Sequence, residues 1–205
     1  LIPVSGPIIY CYFQRNLILN MLSFNNKQYK IISSDLKLAL MQYYRFNYGC
    51  VCAEECSGAD ILADNGKEII EVEVKISKQD LIEGEKYKYK KHLNYIRGNQ
   101  YHNCHPNKFL FCVPEELQEE TIKWAIQLNE KYGVIIFGTN RFLEDIKRNR
   151  ISWANNNCYL TIVKSAKLLH EKYDDKTRWL LAKRITSQAT NLMTEKFLWH
   201  LRLLD

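Results

Sequence analysis

The chain has 205 residues, 46% of them hydrophobic and 25% charged, with a formal net charge of +6. This is ordinary globular composition with room for one sizeable core, burying roughly 70% of the unfolded surface. No apolar run approaches the roughly 20 residues that span a bilayer, residues 7–13 are too short for a secretory signal, and no glycine-rich phosphate loop or Rossmann fingerprint appears. The reading is a cytoplasmic protein with no membrane partner.

Seven cysteines, at 11, 50, 52, 56, 104, 112 and 158, are odd in number for a disulfide framework, and the C-x-C-x3-C spacing of Cys50, Cys52 and Cys56 fits no common structural zinc pattern. They read as small core hydrophobes. Residues 1–33 are an uncertain leader. The first 20 precede Met21 and are expected to be upstream sequence or a poorly ordered extension; a native chain shown by N-terminal sequencing to start well before Met21 would count against this.

Foldable sequence begins near residue 34. Leu36, Ala39, Leu40 and Tyr43 recur at i, i+3, i+4 and i+7, which predicts an amphipathic helix over 34–47, capped by Ser33 or Ser34. A strand follows over 50–56, carrying Glu54 and Glu55; either side chain can lean toward a neighbouring site or stand in solvent. Residues 60–76 then read as two strands joined by the turn Asp64-Asn65-Gly66, since Asn and Gly both tolerate positive φ. The period of two puts Glu71, Glu73 and Lys75 on one face of the second strand and Ile70, Val72, Val74 and Ile76 on the other. An antiparallel neighbour brings Asp60 close to Glu73. Two carboxylates with an ammonium beside them make a hard-oxygen site suited to Mg²⁺ or Mn²⁺, with Lys75 left to hold a water or a phosphate oxygen.

Ser77-Lys78-Gln79-Asp80 has the form of a capping box, so a helix is expected directly after Lys75, its N-terminus and Lys78 favouring an anionic substrate. Residues 86–92, Lys-Tyr-Lys-Tyr-Lys-Lys-His, interleave cations with aromatics, as where a protein holds a nucleic-acid backbone with Lys86, Lys88, Lys90 and Lys91 and stacks on bases. A solvated cationic face is the alternative. Residues 97–107 form a loop whose His102 and His105 could approach a phosphate. A buried strand over 108–113, a helix opening at Pro114 and closed by Tyr132-Gly133, and a second buried strand over 134–137 imply a parallel crossover in a mixed sheet.

Residues 138–205 carry 13 Lys or Arg against 7 Asp or Glu, whereas residues 1–137 carry 16 of each. Two stripes, Ile162-Ala166-Leu169 and Leu181-Ile185-Ala189-Leu192, predict two helices in this part, with the asparagines at 155–157 in a loop. Lys164, Lys167, Lys183 and Arg184 on or near the polar faces would make a basic arm suited to nucleic acid.

Asp60 followed by Glu73-Val74-Lys75 resembles the D…(D/E)xK signature of the PD-(D/E)xK nuclease superfamily, whose fold is restriction-endonuclease-like. Within it, residues 58–61, 70–77 and 108–114 are similar to the MmcB-like DNA-repair-associated group, with Gly58-Ala59 before Asp60 where the superfamily's name has Pro. The resemblance implies an α/β core over 34–137, a mixed central sheet flanked by helices, with a basic helical extension over 138–205. It implies that Asp60, Glu73 and the Val74 backbone carbonyl hold Mg²⁺ or Mn²⁺, with Glu71 or Glu55 as a possible further acid, and that Lys75 positions the attacking water. The function it implies is metal-dependent hydrolysis of DNA in repair, recombination or mobile-element defence, RNA staying open. A nuclease-fold module that binds nucleic acid without cutting, and a structural α/β protein whose strand charges face solvent, are the other readings.

Overall fold

In the computed structural model, which describes residues 30–97, 105–148, 159–171 and 174–202 of the chain, helix α1 spans Ser33–Gln42 and winds into a π-helical turn at Tyr43–Asn47. Leu36, Ala39, Leu40 and Tyr43 are all buried, as their spacing predicts. Asp35 closes the start of the helix, its Oδ2 accepting the Ile32 N–H at 2.9 Å. The elements described below belong to the unit Ile31–Asp205.

A six-stranded mixed sheet is built from β1 (Val51–Cys56), β2 (Ala59–Asp64), β3 (Ile69–Val74), β4 (Lys108–Pro114), β5 (Gly133–Phe137) and β6 (Leu160–Lys164), neighbours in space as in sequence. The β1–β2, β2–β3 and β5–β6 pairs are antiparallel, and β3–β4 and β4–β5 are parallel. Two antiparallel strands need only a tight connection, whereas each parallel step needs a crossover. From β3 to β4 the crossover is a π-helical turn (Asp80–Gly84), α2 (Glu85–Tyr87) and α3 (Tyr89–Arg97); from β4 to β5 it is a 3₁₀ turn and α4 (Gln118–Leu128). Helix α5 (Thr139–Lys147) follows β5, and α6 (Asp175–Arg202) ends the described chain. This is an α/β protein with a mixed central sheet flanked by helices and a C-terminal helix.

On one face Leu81, Tyr95, Phe109, Phe111, Val113, Ala125, Tyr132 and Val134 form a continuous buried cluster. A second cluster joins Ala53, Cys56, Ala59, Leu62 and Ile69 to Leu181 of α6, with Ile185 packed against it. The stripe on α6 thus docks at its beginning, while Leu192 is half exposed.

Three expectations are corrected. The β2–β3 connection is a loop over residues 65–68 rather than the turn Asp64-Asn65-Gly66, Asp64 still belonging to β2. Pairing ends at Asp64↔Ile69, because Asp64 Oδ1 accepts the Gly66 N–H and Asn65 Oδ1 accepts those of Lys67 and Glu68, giving the loop its own hydrogen bonds. Gly133 does not cap a helix: α4 ends at Leu128 and Gly133 opens β5. A Cβ there would stand 2.8 Å from the Ala166 nitrogen and 2.8 Å from Leu110 Cδ2, so close approach of another segment explains the glycine. Finally, the stripe Ile162-Ala166-Leu169 is not helical. Thr161, Ile162 and Val163 are β-branched in succession, and they pair with β5 as β6. Residues 155–157 lie outside the described residues.

Candidate active site

The register of β2 on β3 places Ile61 opposite Val72, so Asp60 comes opposite Glu73, on the same face. Asp60 Oδ2 accepts the Val74 N–H at 2.8 Å, which fixes the carboxylate at the C-terminal end of β3. Its other oxygen lies 3.0 Å from the ammonium of Lys37 on α1, and Lys37 also pairs with Glu55. Glu55 therefore meets Asp60 through a shared lysine.

Glu71, Glu73 and Lys75 share their face as predicted, and all three are buried. A solvated strand face is excluded by this burial. Every one of these charges is paired, as burial of an ion demands. Glu73 accepts Lys88 on one oxygen, with Lys75 at 3.4 Å from the same atom, and Lys91 at 3.1 Å on the other. Glu71 takes Lys91 at 2.5 Å and the Tyr95 hydroxyl at 2.6 Å. Lys91 also donates to the Gly58 carbonyl at 3.2 Å and lies over the Phe109 ring.

Behind Lys75 runs a second buried chain of polar groups. The Lys75 ammonium is 2.8 Å from Glu85 Oε1 and 3.4 Å from Asp80 Oδ1. Glu85 Oε2 accepts from His92 Nε2 at 2.7 Å, and His92 Nδ1 meets the Tyr132 hydroxyl at 2.9 Å. A carboxylate only accepts, so Nε2 carries the proton and, in the neutral ring, Nδ1 accepts from Tyr132. Gly84 makes room for this arrangement: a Cβ there would stand 3.1 Å from Asp80 Oδ1 and 3.4 Å from Lys75 Nζ. Ser77 caps the following turn by accepting the Asp80 N–H at 3.1 Å, while the Asp80 side chain turns to Lys75.

The electrostatics follow from this crowding. Burial alone would raise the Glu73 carboxyl, but the charge of Lys91, then of Lys88, outweighs it and holds the pKa below the usual range. Burial works the same way on Glu85, and the His92 hydrogen bond and Lys75 bring its pKa down to about 2. Lys75 and Lys91 are pushed up despite burial, chiefly by Glu85 in the first case and by Glu71 and Glu73 in the second. Six carboxylates (Glu55, Asp60, Glu71, Glu73, Asp80, Glu85) thus face four ammonium groups (Lys37, Lys75, Lys88, Lys91).

The donor set fits a hard divalent cation. Asp60 and Glu73 offer anionic oxygens from adjacent strands, and Val74 follows Glu73 at the same strand end. Mg²⁺ binds through one or two carboxylates and keeps several waters. Among the described residues no three His, Cys, Asp or Glu side chains gather as a ready metal cage; the positive charge at the carboxylates is supplied by lysines. Cys50, Cys52, Cys56 and Cys112 are free thiols in the core.

The basic residues predicted to hold nucleic acid divide into two groups. Lys88 and Lys91 point inward to the carboxylates, whereas Lys86 and Lys90 are exposed, beside the solvent-facing Tyr87 and Tyr89. Lys78 pairs with Glu120 at the surface. In the last third, Lys167 and Lys183 are exposed, Lys164 donates to the Glu130 and Tyr132 carbonyls, and Arg184 donates to the Glu54 carbonyl at 3.0 Å. His105 lies far from Lys75, since Asn107, two residues on, bonds Ile69 at the opposite end of β3. His102 is outside the described residues.

Sequence reading missed Lys37, Glu85, His92, Tyr95 and Tyr132. The faint signal was the spacing at the start of α3: Lys88 just before the helix and Lys91, His92 and Tyr95 on it fall at i, i+3, i+4 and i+7 of the sequence, a spacing that brings polar groups to one side. The sequence matches no known family model, and neither the curated proteins nor the solved structures contain one significantly similar to it.

Proposed function

We propose that the protein is a metal-dependent nuclease that hydrolyses DNA phosphodiester bonds on a restriction-endonuclease-like core, serving repair, recombination or mobile-element defence. The observation that carries this reading is the Asp60–Glu73 carboxylate pair on adjacent strands with the Lys75 ammonium 3.4 Å from Glu73. Buried charges converging at one end of a strand are a functional pattern more than a structural one.

Asp60, Glu73 and the Val74 carbonyl would hold Mg²⁺ or Mn²⁺. Bound there, the ion would supply Lewis-acid stabilisation of the scissile phosphate and acidify a water. The chain's own groups do the rest. Lys75, kept charged and fixed by Glu85, would donate a hydrogen bond that orients the attacking water; as the water's oxygen bonds to phosphorus and the ester P–O bond opposite breaks, the water's proton would pass to solvent and the leaving oxygen would take one from solvent. Glu85, His92 and Tyr132 keep Lys75 from turning away. The exposed Lys86 and Lys90, with Lys167 and Lys183 of the last third, attract the polyanion and neutralise its backbone.

A second reading, a nucleic-acid-binding module that does not cut, draws support from one observation: Asp60 and Glu73 are each already paired with a lysine, so both have a counter-charge without an ion. Cleavage of single-stranded, duplex and branched DNA in Mg²⁺, Mn²⁺ or EDTA, beside Lys75→Ala, separates the two. Metal-dependent cutting that falls by about a hundredfold or more in Lys75→Ala is the expected result. Binding that survives EDTA with no cutting of any substrate would overturn the nuclease in favour of the module.

A further inference from the structure

Glu73 gathers three ammonium groups, those of Lys75, Lys88 and Lys91. A divalent ion placed on the same carboxylate would meet all three at short range, where like charges repel by several times thermal energy. At least one lysine must leave, and the structure distinguishes which. Lys75 is 4% exposed and is held by Glu85 at 2.8 Å. Lys91 is 14% exposed and is held by Glu71 at 2.5 Å and by the Gly58 carbonyl. Lys88 is 34% exposed, and its second acid, Glu85 Oε1, is 3.6 Å away. It also stands at the break between α2 and α3, where its backbone leaves the helical conformation (φ −91, ψ 9). The side chain has solvent to move into, and the neighbouring Lys86, Tyr87 and Lys90 are all exposed, so a displaced Lys88 joins an outward basic surface.

We propose that Lys88 is the exchangeable cation of this site: it neutralises Glu73 in the metal-free protein and passes to a phosphate of the nucleic acid when a divalent ion takes its place. This inference rests on the reading of Asp60 and Glu73 as metal ligands. It adds to that reading a coupling between metal and nucleic acid, since an ion that frees Lys88 strengthens backbone binding, and by reciprocity a bound backbone that captures Lys88 strengthens ion binding. Lys88 then works in two places in turn, which neither Lys86 nor Lys91 can do. Among the described residues Lys86 makes no contact with the carboxylates, and Lys91 is held in place by Glu71 and the Gly58 carbonyl.

The test uses the full chain and Lys88→Met, which keeps the aliphatic stem and leaves Glu73 with two lysines. Mn²⁺ binding is titrated by electron paramagnetic resonance without nucleic acid, and binding of a labelled DNA oligonucleotide is measured by anisotropy in EDTA and in Ca²⁺. Lys88→Met is expected to bind Mn²⁺ about tenfold more tightly than the unmodified chain, to bind DNA equally well in EDTA, and to lose most of the Ca²⁺-induced gain in DNA affinity. Lys90→Met, with the same loss of charge on an exposed side chain, is expected to leave Mn²⁺ affinity unchanged. Equal Mn²⁺ affinity in Lys88→Met and the unmodified chain overturns the inference alone, as does the same gain in Lys90→Met or a drop in DNA affinity in EDTA. Failure of Mn²⁺ to bind either protein overturns the metal reading and the inference together.

Discussion

Strands β3 and β4 lie side by side, parallel and in register, with Glu71 beside Phe109 and Glu73 beside Phe111. On β4 this face carries Phe109, Phe111 and Val113; on β3 it carries Glu71 and Glu73, with Lys75 just past the strand's end; all six are buried. Burial is the same and chemistry is opposite. Phe109 and Phe111 follow from the hydrophobic effect alone, each ring packed on the other and on Tyr132. The β3 charges lose solvation and recover it from lysines, a tyrosine and, for Lys75, the carboxylates of Glu85 and Asp80, an arrangement that a well-packed apolar face would match or exceed in stability. Folding alone explains β4 and not β3, and the surplus is what a site at this end of β3 would use.

The largest effect that can break this comparison is on stability. Phe109→Ala removes a fully buried ring and is expected to cost about 3–5 kcal/mol. Lys91→Met leaves Glu71 and Glu73 short of a counter-charge and is expected to cost a similar 3–5 kcal/mol. The two sites part company on repair. Adding Glu71→Gln to Lys91→Met removes the stranded charge while keeping an acceptor for Tyr95, and should recover most of the loss. No second change on β4 short of refilling the volume does so. Denaturant midpoints of the single and double variants decide it, and a double variant as unstable as Lys91→Met would show that Lys91 serves mainly as packing.

The contrast also shows what could be read from the sequence. The β2–β3 hairpin and the meeting of Asp60 with Glu73 were legible, because alternation has a period of two and an Asn-Gly loop fixes which strands pair. Local pattern sufficed. The lysines on those carboxylates were not legible in the same way. Lys37 comes from 23 residues before Asp60 and Tyr132 from 40 after His92, and contacts between distant segments leave no mark on local spacing. Lys88 and Lys91 were visible as a basic run, but their direction depends on the break at Lys88, which turns them to the sheet. In the last third the helical stripe at 162–169 lost to three consecutive β-branched residues and an open edge on β5.

A smaller effect concerns acid. Glu85 has an ordinary pKa of 4.5 and is brought down to about 2 in the folded protein. A depressed carboxyl contributes stability that is fully present above its unfolded value and is lost as pH falls through its folded value. The denaturant midpoint is therefore expected to fall between pH 4.5 and about 2, and to fall less steeply there in Glu85→Gln, which has no proton to take up. Equal slopes in the two proteins would mean that Glu85 does not hold its charge against Lys75 and His92, and that this part of the β3 network is bound by packing as β4 is.

The smallest effect belongs to Lys78, which has the same charge as Lys91 and pairs with Glu120 at the surface, the two side chains 61% and 40% exposed. Water already solvates both ions, so their attraction is weak, and holding two long side chains together offsets part of it. Lys78→Met is expected to change stability by less than about 1 kcal/mol, and that change should shrink further in 0.5 M salt, roughly a Debye length of a few ångströms. Lys91, walled in by Phe109 and two carboxylates, should show its full loss at either salt concentration. If Lys78→Met proves as damaging as Lys91→Met, charge rather than burial sets the cost, and β3 would no longer differ from β4 for the reason given; if it is nearly silent, the stability held in the β3 cluster belongs to pairing out of water.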